Sequence, residues 1–307
     1  MDKKVFDEVW DICAIRLENL KIQTVRERCA KYLFRVKYLT KFDSTIKSQD
    51  GKTLLLLDPL IKGLDGFEEA DREFLISSGV ELVPHKLHLN FDHFSTEKIL
   101  SRLIPEVEIT SKFESVGHIA HLNLQSHILK YKYLIGEVIL EKNKPQIRTV
   151  VNKTEMITDK FRVLPMELIA GEDNTMVTLT ESGCTFRFDF KNVFWNSRLE
   201  NEHRRLISLC KPGEIICDVF AGVGPFAVPL ARKGSIVYAN DLNEHCYNAL
   251  LENAKANLTS RKISNLKAYC LDGREFLQTA VNEICCTQKK AINHIFMNLP
   301  KTAFEFL

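Results

Sequence analysis

From residue 215 onward, apolar runs recur along the chain, and each is closed by a polar residue: Asp218, Asp241, Asp272 and Asn298. The intervals of 23, 31 and 26 residues each match one strand-plus-helix unit. This rhythm predicts parallel strands at residues 215–219, 236–239, 266–271 and 294–297 in a doubly wound sheet. It also places the four polar residues at the carboxyl ends of the strands, where open α/β sheets bind ligands.

Upstream the pattern is less regular. Partial alternation over residues 10–17 predicts a strand. A helix follows at 24–34, with Arg26, Arg28, Lys31 and Arg35 around an apolar stripe of Val25, Cys29, Tyr32 and Leu33. Those charges are either a solvated face or an RNA contact. A strand at 52–59 is stopped by Pro59, a helix occupies 68–76, and 82–95 reads as a linker. A second region opens with a helix at 96–103 and continues through a strand at 117–124, a helix at 127–139 and a strand at 147–152. The stretches 176–180 and 185–190 form a hairpin turned at 181–183, and a helix over 198–210 leads into the final domain. The expected organisation is a small N-terminal α/β domain (1–90), an α+β domain (91–191) and an α/β domain (192–307).

The transition out of the strand at 215–219 carries the chemistry. Gly222 and Gly224 permit a tight turn with close backbone approach to a ligand, and Pro225 suits the first position of the following helix. The amides at the N-terminus of that helix then face a ligand. Gly222-x-Gly224-x-x-Ala227 also fits the dinucleotide fingerprint, with Asp241 as the ribose ligand. Asp218 argues for a different nucleoside, because a carboxylate at that strand end repels a pyrophosphate and attracts an ammonium group. S-adenosylmethionine (AdoMet) has such a group and no phosphate.

Asp241 can accept hydrogen bonds from a ribose diol or cap the helix that follows. Asp272-Gly273 can receive the amine of adenine, with Gly273 leaving room for the ring, or can be an ordinary turn. Asn298-Leu299-Pro300 sets an amide and a backbone carbonyl in a turn at the fourth strand end, where an amide can orient a planar nitrogen nucleophile.

Composition adds bounds. The 307 residues are 45% hydrophobic and 27% charged, ordinary values for a globular protein, and no apolar run approaches the roughly 18 residues that span a membrane. The opening residues have neither an apolar signal region nor an Arg- and Ser-rich presequence, which points to an intracellular protein. Nine cysteines without a C-x-x-C pair indicate neither a disulfide framework nor a zinc site. His85, His88, His93, His118 and His121 match no established ligand spacing, so no metal is expected. The net charge of +2 hides an asymmetry: 54–109 is acidic, whereas 110–164 carries nine Lys or Arg against five Asp or Glu. With Lys130, Lys132, Tyr131 and Tyr133 interleaved, that middle segment is a candidate RNA-binding face.

Four motifs together carry a resemblance: Asp-Val-Phe-Ala-Gly-Val-Gly-Pro-Phe (218–226), Asn-Asp-Leu-Asn (240–243), Leu-Asp-Gly (271–273) and Met-Asn-Leu-Pro (297–300). They resemble the eukaryotic and archaeal tRNA (guanine-37-N1)-methyltransferase family. The likeness extends upstream through Phe-Arg-Val (161–163), 167–172 and 193–203, covering about residues 90–307. It implies an α/β, class I (Rossmann-like) AdoMet methyltransferase domain preceded by two smaller α+β domains, with tRNA bearing guanosine 37 as partner, no membrane, and a monomer. The expected location is cytoplasmic, with nuclear and mitochondrial matrix pools left open, since the sequence does not fix the compartment.

By that resemblance Arg162 and Glu202 complete the active site. Guanine N1 holds its proton at neutral pH, so methylation needs a base at N1, assigned to Glu202, and a cation near O6, assigned to Arg162. Asn298 joins them as a catalytic residue. The implied cofactor contacts are Asp218, Phe220, Gly222, Gly224, Pro225, Asp241, Leu242, Asp272, Gly273, Asn298 and Pro300. The implied substrate contacts are Arg162, Arg198, Glu202, His203 and Pro300.

Ser197 and Glu244 stand where the family usually has proline. The chain stops at Phe304-Glu305-Phe306-Leu307, within the helix expected after the fourth strand, so the methyltransferase domain is expected to be incomplete at its C-terminus. Two other readings stay open: transfer of the aminocarboxypropyl group of AdoMet in the wybutosine pathway, and a non-catalytic tRNA-binding chain.

Overall fold

The computed structural model describes every residue except 19–20, 41, 49, 110, 155–162, 164, 300–302 and 307, together with the side chain of residue 304. The chain divides into two compact units, Met1–Ser111 and Lys112–Leu307.

In the first unit the elements are β1 (Glu8–Leu17), α1 (Ile22–Arg28), β2 (Thr45–Lys47), β3 (Thr53–Leu56), α2 (Glu69–Ser77), β4 (Glu81–Leu89) and α3 (Thr96–Leu103). The sheet runs in the order β2-β3-β1-β4, and its drawn pairs are antiparallel. Two expectations are corrected. The stretch expected as a linker at 82–95 contains β4, which pairs with β1 from Glu81 to Leu89. Its inward positions, Val83, His85, Leu87 and Leu89, alternate as a strand requires, and Pro84 is tolerated because β4 is an edge. The helix expected to reach residue 34 ends at Arg28, since Leu33 bridges to Leu57 and the Phe34 N–H donates to the Leu56 carbonyl.

Charges in and just after α1 have a structural use. Arg28 Nε lies 2.6 Å from Asp71 Oδ1, and Lys31 Nζ lies 2.6 Å from Glu68 and 3.1 Å from Asp71. Asp71 is buried and also accepts from Tyr32 Oη at 2.9 Å. These contacts hold the Asp71 carboxyl below its usual range, the Tyr32 hydroxyl first and Lys31 second. Helix α3, capped by Ser95, makes its contacts in this unit, with Arg102 paired to Glu8 and stacked over Phe94.

The second unit begins with β5 (Glu114–Val116), β6 (Ile119–Leu122), α4 (Lys132–Asn143), β7 (Thr149–Lys153) and β8 (Met166–Gly171). These strands form a sheet in the order β5-β6-β7-β8, with α4 packed on β7 and β8. Gly171, at φ +87°, passes so close to the Arg148 carbonyl that a Cβ there would stand 2.1 Å from it. The hairpin β9 (Met176–Glu181) and β10 (Cys184–Asp189) follows as expected, and then α5 (Glu200–Leu209).

The remaining elements are β11 (Ile215–Asp218), α6 (Ala227–Lys233), β12 (Ile236–Asn240), α7 (Glu244–Asn257), β13 (Leu266–Tyr269), α8 (Gly273–Val281) and β14 (His294–Phe296). All three strand pairs are parallel, in the order β13-β12-β11-β14. The strands match the four expected from the apolar rhythm. Their cores are apolar on both faces because helices cover both sides: Ile216, Val237 and Ala239 pack with α6 and α7, while Ile215, Cys217 and Tyr238 pack with α8. The hairpin docks on α7, where Asn253 and Asn257 accept from the Arg187 and Thr185 amides at 2.8 Å each. Phe186 and Phe188 pack tilted against Trp195 with ring centroids 5.8 and 5.0 Å away, and all three are buried. Among the described residues no helix is long and apolar enough to cross a membrane.

Candidate active site

The carboxyl ends of β11, β12 and β13 are drawn together by one side chain. Asn240 is 1% exposed; its Nδ2 donates to the carbonyls of Val219 and Leu271 at 3.1 and 3.0 Å, and its Oδ1 accepts the Leu271 N–H at 2.9 Å. Sequence reasoning assigned Asn240 no role, although an amide at a strand end is suited to bridging its neighbours.

Above this clamp lies a cavity of about 410 Å³. The glycine loop forms one wall. Gly222 sits at φ +56° and Gly224 at φ +99°, conformations that disfavour side chains. At Gly224 there is also no room, since a Cβ would stand 2.7 Å from Leu250 Cδ1 and 2.8 Å from Val228 Cγ2. The loop is tied to the end of β12 by Asp241, whose carboxylate accepts the Gly222 N–H at 2.8 Å and the Asn243 N–H at 2.9 Å. Asn243, not Asp241, caps α7, accepting the His245 N–H at 3.0 Å.

Asp218 is the exceptional group. It is 0% exposed, and neither carboxylate oxygen has a hydrogen-bond partner. Burial pushes its carboxyl up to about 8, Asp241 adds to the shift, and the nearby Phe220 amide opposes it without making a full hydrogen bond. Burial likewise raises Asp241, opposed by its two backbone donors. A buried, unpaired acid of this kind is tolerated by holding its proton or by meeting a cation. The ammonium of AdoMet is such a cation, so the donor set fits the cofactor inferred from the sequence.

Of the residues singled out from the sequence, Phe220, Gly222, Pro225, Asp241, Leu242, Asp272, Gly273, Asn298 and His203 all line the cavity. Asp218 lies buried behind that lining, and Gly224 packs into α6 and α7. Over Gly273 there is no open space for a ring: a Cβ there would stand 2.9 Å from Phe306 Cδ1 and 3.1 Å from Phe220 Cε1. Those two phenyl groups meet edge to face at 5.0 Å.

Two residues of the expected site are not brought to it. Glu202 is exposed on α5 and clamped by Arg205, with Nε to Oε2 at 2.8 Å and a second guanidinium nitrogen to Oε1 at 2.7 Å. The Arg205 guanidinium holds its carboxyl below the usual range. Arg198 is exposed and paired with Glu114. Neither lines the cavity. The lysine-rich face is also partly engaged, since Lys132 lies 2.6 Å from Glu167 and 5.1 Å above the Tyr133 ring. Arg162 and Pro300 lie outside the described residues.

Sequence reasoning also missed Phe194, Trp195, Leu199, Phe226 and Cys246 as parts of the wall. Phe194, Trp195 and Leu199 lie within the 193–203 stretch and Phe226 within the 218–226 motif of the resemblance, without a role assigned to them, and Cys246 had no signal beyond that of a core residue. Among the described residues one trio, Cys210, Glu214 and His294, could hold a metal ion, at the opposite end of the sheet. Two of the five histidines set aside earlier have local uses, His93 in the cap over Asn90 and His118 on the Asn174 carbonyl at 3.0 Å.

A four-stranded parallel sheet in this order, with a glycine loop and carboxylates at the strand ends, is the frame of Rossmann-like nucleoside-binding domains, and the likeness to known proteins makes it a class I AdoMet-dependent methyltransferase domain. Residues 177–307 match the TRM5/TYW2 methyltransferase domain, and 96–175 match the TYW2 N-terminal domain. The chain is 41% identical to the tRNA (guanine(37)-N(1))-methyltransferase of Phytophthora infestans, over 100% of this chain and 75% of that protein. To the protein of the same name from Schizosaccharomyces pombe it is 40% identical, over 100% of this chain and 76% of the relative. It therefore belongs to the tRNA (guanine(37)-N(1))-methyltransferase family. The crystal structure of WT Trm5b from Pyrococcus abyssi superposes with a TM-score of 0.65 at 27% identity, covering 96% of this chain and 78% of that one. The complex of aTrm5 and tRNALeu shares the fold, with a TM-score of 0.69 at 22% identity over 95% and 81%.

Proposed function

We propose that this chain transfers the methyl group of AdoMet to N1 of guanosine 37 in tRNA, acting as a monomer. The observation that carries the reading is the cavity at the strand ends, with the unpaired Asp218 behind it, in a chain whose relatives of that name match it along its whole length. When bound, AdoMet supplies a methyl group activated by its sulfonium.

The residues of the chain do the rest. Asp218 holds the ammonium, Asp241 faces the ribose, and Asn298 orients the base edge beside the methyl. As the methyl–sulfur bond breaks and the N1–methyl bond forms, Glu202 takes the N1 proton and Arg162 offsets charge at O6. For this, Glu202 has to exchange Arg205 for the guanine N1–H. The ion pair keeps the carboxylate in the ionised state in which a base works. Binding of the tRNA is the event that would drive the exchange, with the phosphate backbone competing for Arg205.

The test uses unmodified tRNA transcripts with guanosine or adenosine at position 37, and AdoMet labelled either on the methyl or on the carboxyl carbon. Methyl label in 1-methylguanosine from the guanosine transcript alone is expected. Carboxyl label in the tRNA would instead mark aminocarboxypropyl transfer, and no label at all would mark a binding protein.

A further inference from the structure

His203 borders the cavity from α5, with its ring edge-to-face on Phe226 at 4.6 Å. Its Nδ1 lies 2.5 Å from Oε1 of Glu181, the last residue of β9. Both residues are 4% exposed, and the other ring nitrogen, Nε2, is buried without any hydrogen-bond partner. The mechanism above uses neither the Glu181 carboxylate nor this nitrogen.

We infer that Glu181 is a positioning residue for cofactor binding: it orients His203, so that Nε2 carries its proton toward the α-carboxylate of the AdoMet methionine group. The inference rests on the AdoMet reading of the cavity. A carboxylate buried at 4% exposure needs a neutralising partner, and His203 is the one that meets it. A protonated imidazole donates through both nitrogens. Nδ1 faces the Glu181 carboxylate, and Nε2 has no partner among the described residues. A buried donor left in this state is an expense that a ligand anion removes.

The methionine group is a zwitterion, and two of the buried polar groups without a partner among the described residues, the Asp218 carboxylate and His203 Nε2, lie at the carboxyl end of the parallel sheet. Helix α5 and the glycine loop bring His203 against Phe226, two residues after Gly224. Glu181 sits on a different element, the hairpin that docks on α7, so it fixes the imidazole from outside the cavity wall.

The experiment is a comparison of two ligands by titration calorimetry: AdoMet, and decarboxylated AdoMet, which lacks only the α-carboxylate. Glu181→Gln retains a side-chain oxygen that can accept from Nδ1 but removes the charge. It is expected to weaken AdoMet by about 10- to 100-fold, the range of one charge-assisted hydrogen bond, and to leave decarboxylated AdoMet unchanged. His203→Gln should behave in the same way, and the double variant should lose little more than either single one.

The ratio of the two affinities within each variant does not depend on how much of the sample is folded. An equal loss for both ligands would reduce Glu181 to a structural residue, and an unchanged AdoMet affinity would overturn the inference outright. Failure of the underlying reading looks different, because the unaltered protein would then bind neither ligand.

Discussion

The two ends of the parallel sheet handle their polar groups in opposite ways. At the amino end of the strands, polar groups find partners within the chain: Ile215 N–H donates to Asn293 at 2.8 Å, His294 meets Glu214 at 3.1 Å, Ser235 donates to the Lys211 carbonyl at 3.1 Å, and Lys233 reaches the carbonyls of Ile207, Ser208 and Cys210. At the carboxyl end, the Asp218 oxygens and His203 Nε2 are buried and unpaired. Satisfied polar groups stabilise the fold, whereas unsatisfied ones at the strand ends mark where a ligand completes the structure. The trio of Cys210, Glu214 and His294 belongs to the first kind. Glu214 already accepts from the Lys211 amide at 2.6 Å, and burial pushes the Cys210 thiol up, away from the thiolate a metal would bind.

That contrast can be attacked by mutation and by pH. The largest effect is expected at Glu202, although it lies on an exposed helix face. Glu202→Gln should cut methyl transfer by about 10²- to 10⁴-fold, the usual size of a general-base contribution, with AdoMet affinity unchanged. Single-turnover assay beside calorimetry checks it, and retained turnover would remove Glu202 from the mechanism. Next comes Gly224→Ala, where a left-handed φ of +99° and contacts of 2.7 and 2.8 Å combine. It should cost about 2–4 kcal/mol in urea unfolding and abolish cofactor binding with it.

A pH titration gives a smaller change. Asp218 must be ionised to hold a cation, and burial keeps its carboxyl up at about 8. AdoMet affinity should therefore rise up to about tenfold per pH unit between pH 6 and 8 and level off above, as proton release is linked to binding. A flat profile would deny Asp218 that role. The smallest effect is at the amino end. Glu214→Gln weakens a partly exposed contact with His294 and should barely shift the melting temperature, without altering AdoMet affinity.

What could be read from the chain divides along the same physical line. The parallel sheet was legible because strands buried on both faces are continuous apolar runs, and Asp218, Asp241 and Asp272 stand out at their ends. The glycines announced the loop because only the backbone decides there. In the first unit, β4 was hidden since Pro84, His85 and His88 interrupt the apolar code, although an edge strand accepts all three. Glu181 gave no local signal at all. Its meaning comes from a histidine 22 residues on, brought close only when the hairpin and α5 pack together. Glu202 and Arg198 show the converse, since motif resemblance singles them out while their side chains pair elsewhere, with Arg205 and Glu114.

The most direct measurement concerns Asp218. Its carboxyl is raised above the ordinary value of about 4, so its contribution to stability is fully present below about pH 4 and is lost as pH rises through about 8. Asp218→Asn removes that loss while keeping the shape. Melting of the ligand-free protein across pH 5–8, with AdoMet calorimetry on the same samples, should show a variant increasingly more stable than the parent as pH rises, yet unable to bind the cofactor. A variant that melts lower at pH 8, or that binds AdoMet as the parent does, would contradict the assignment of Asp218 as the buried anion that the cofactor completes.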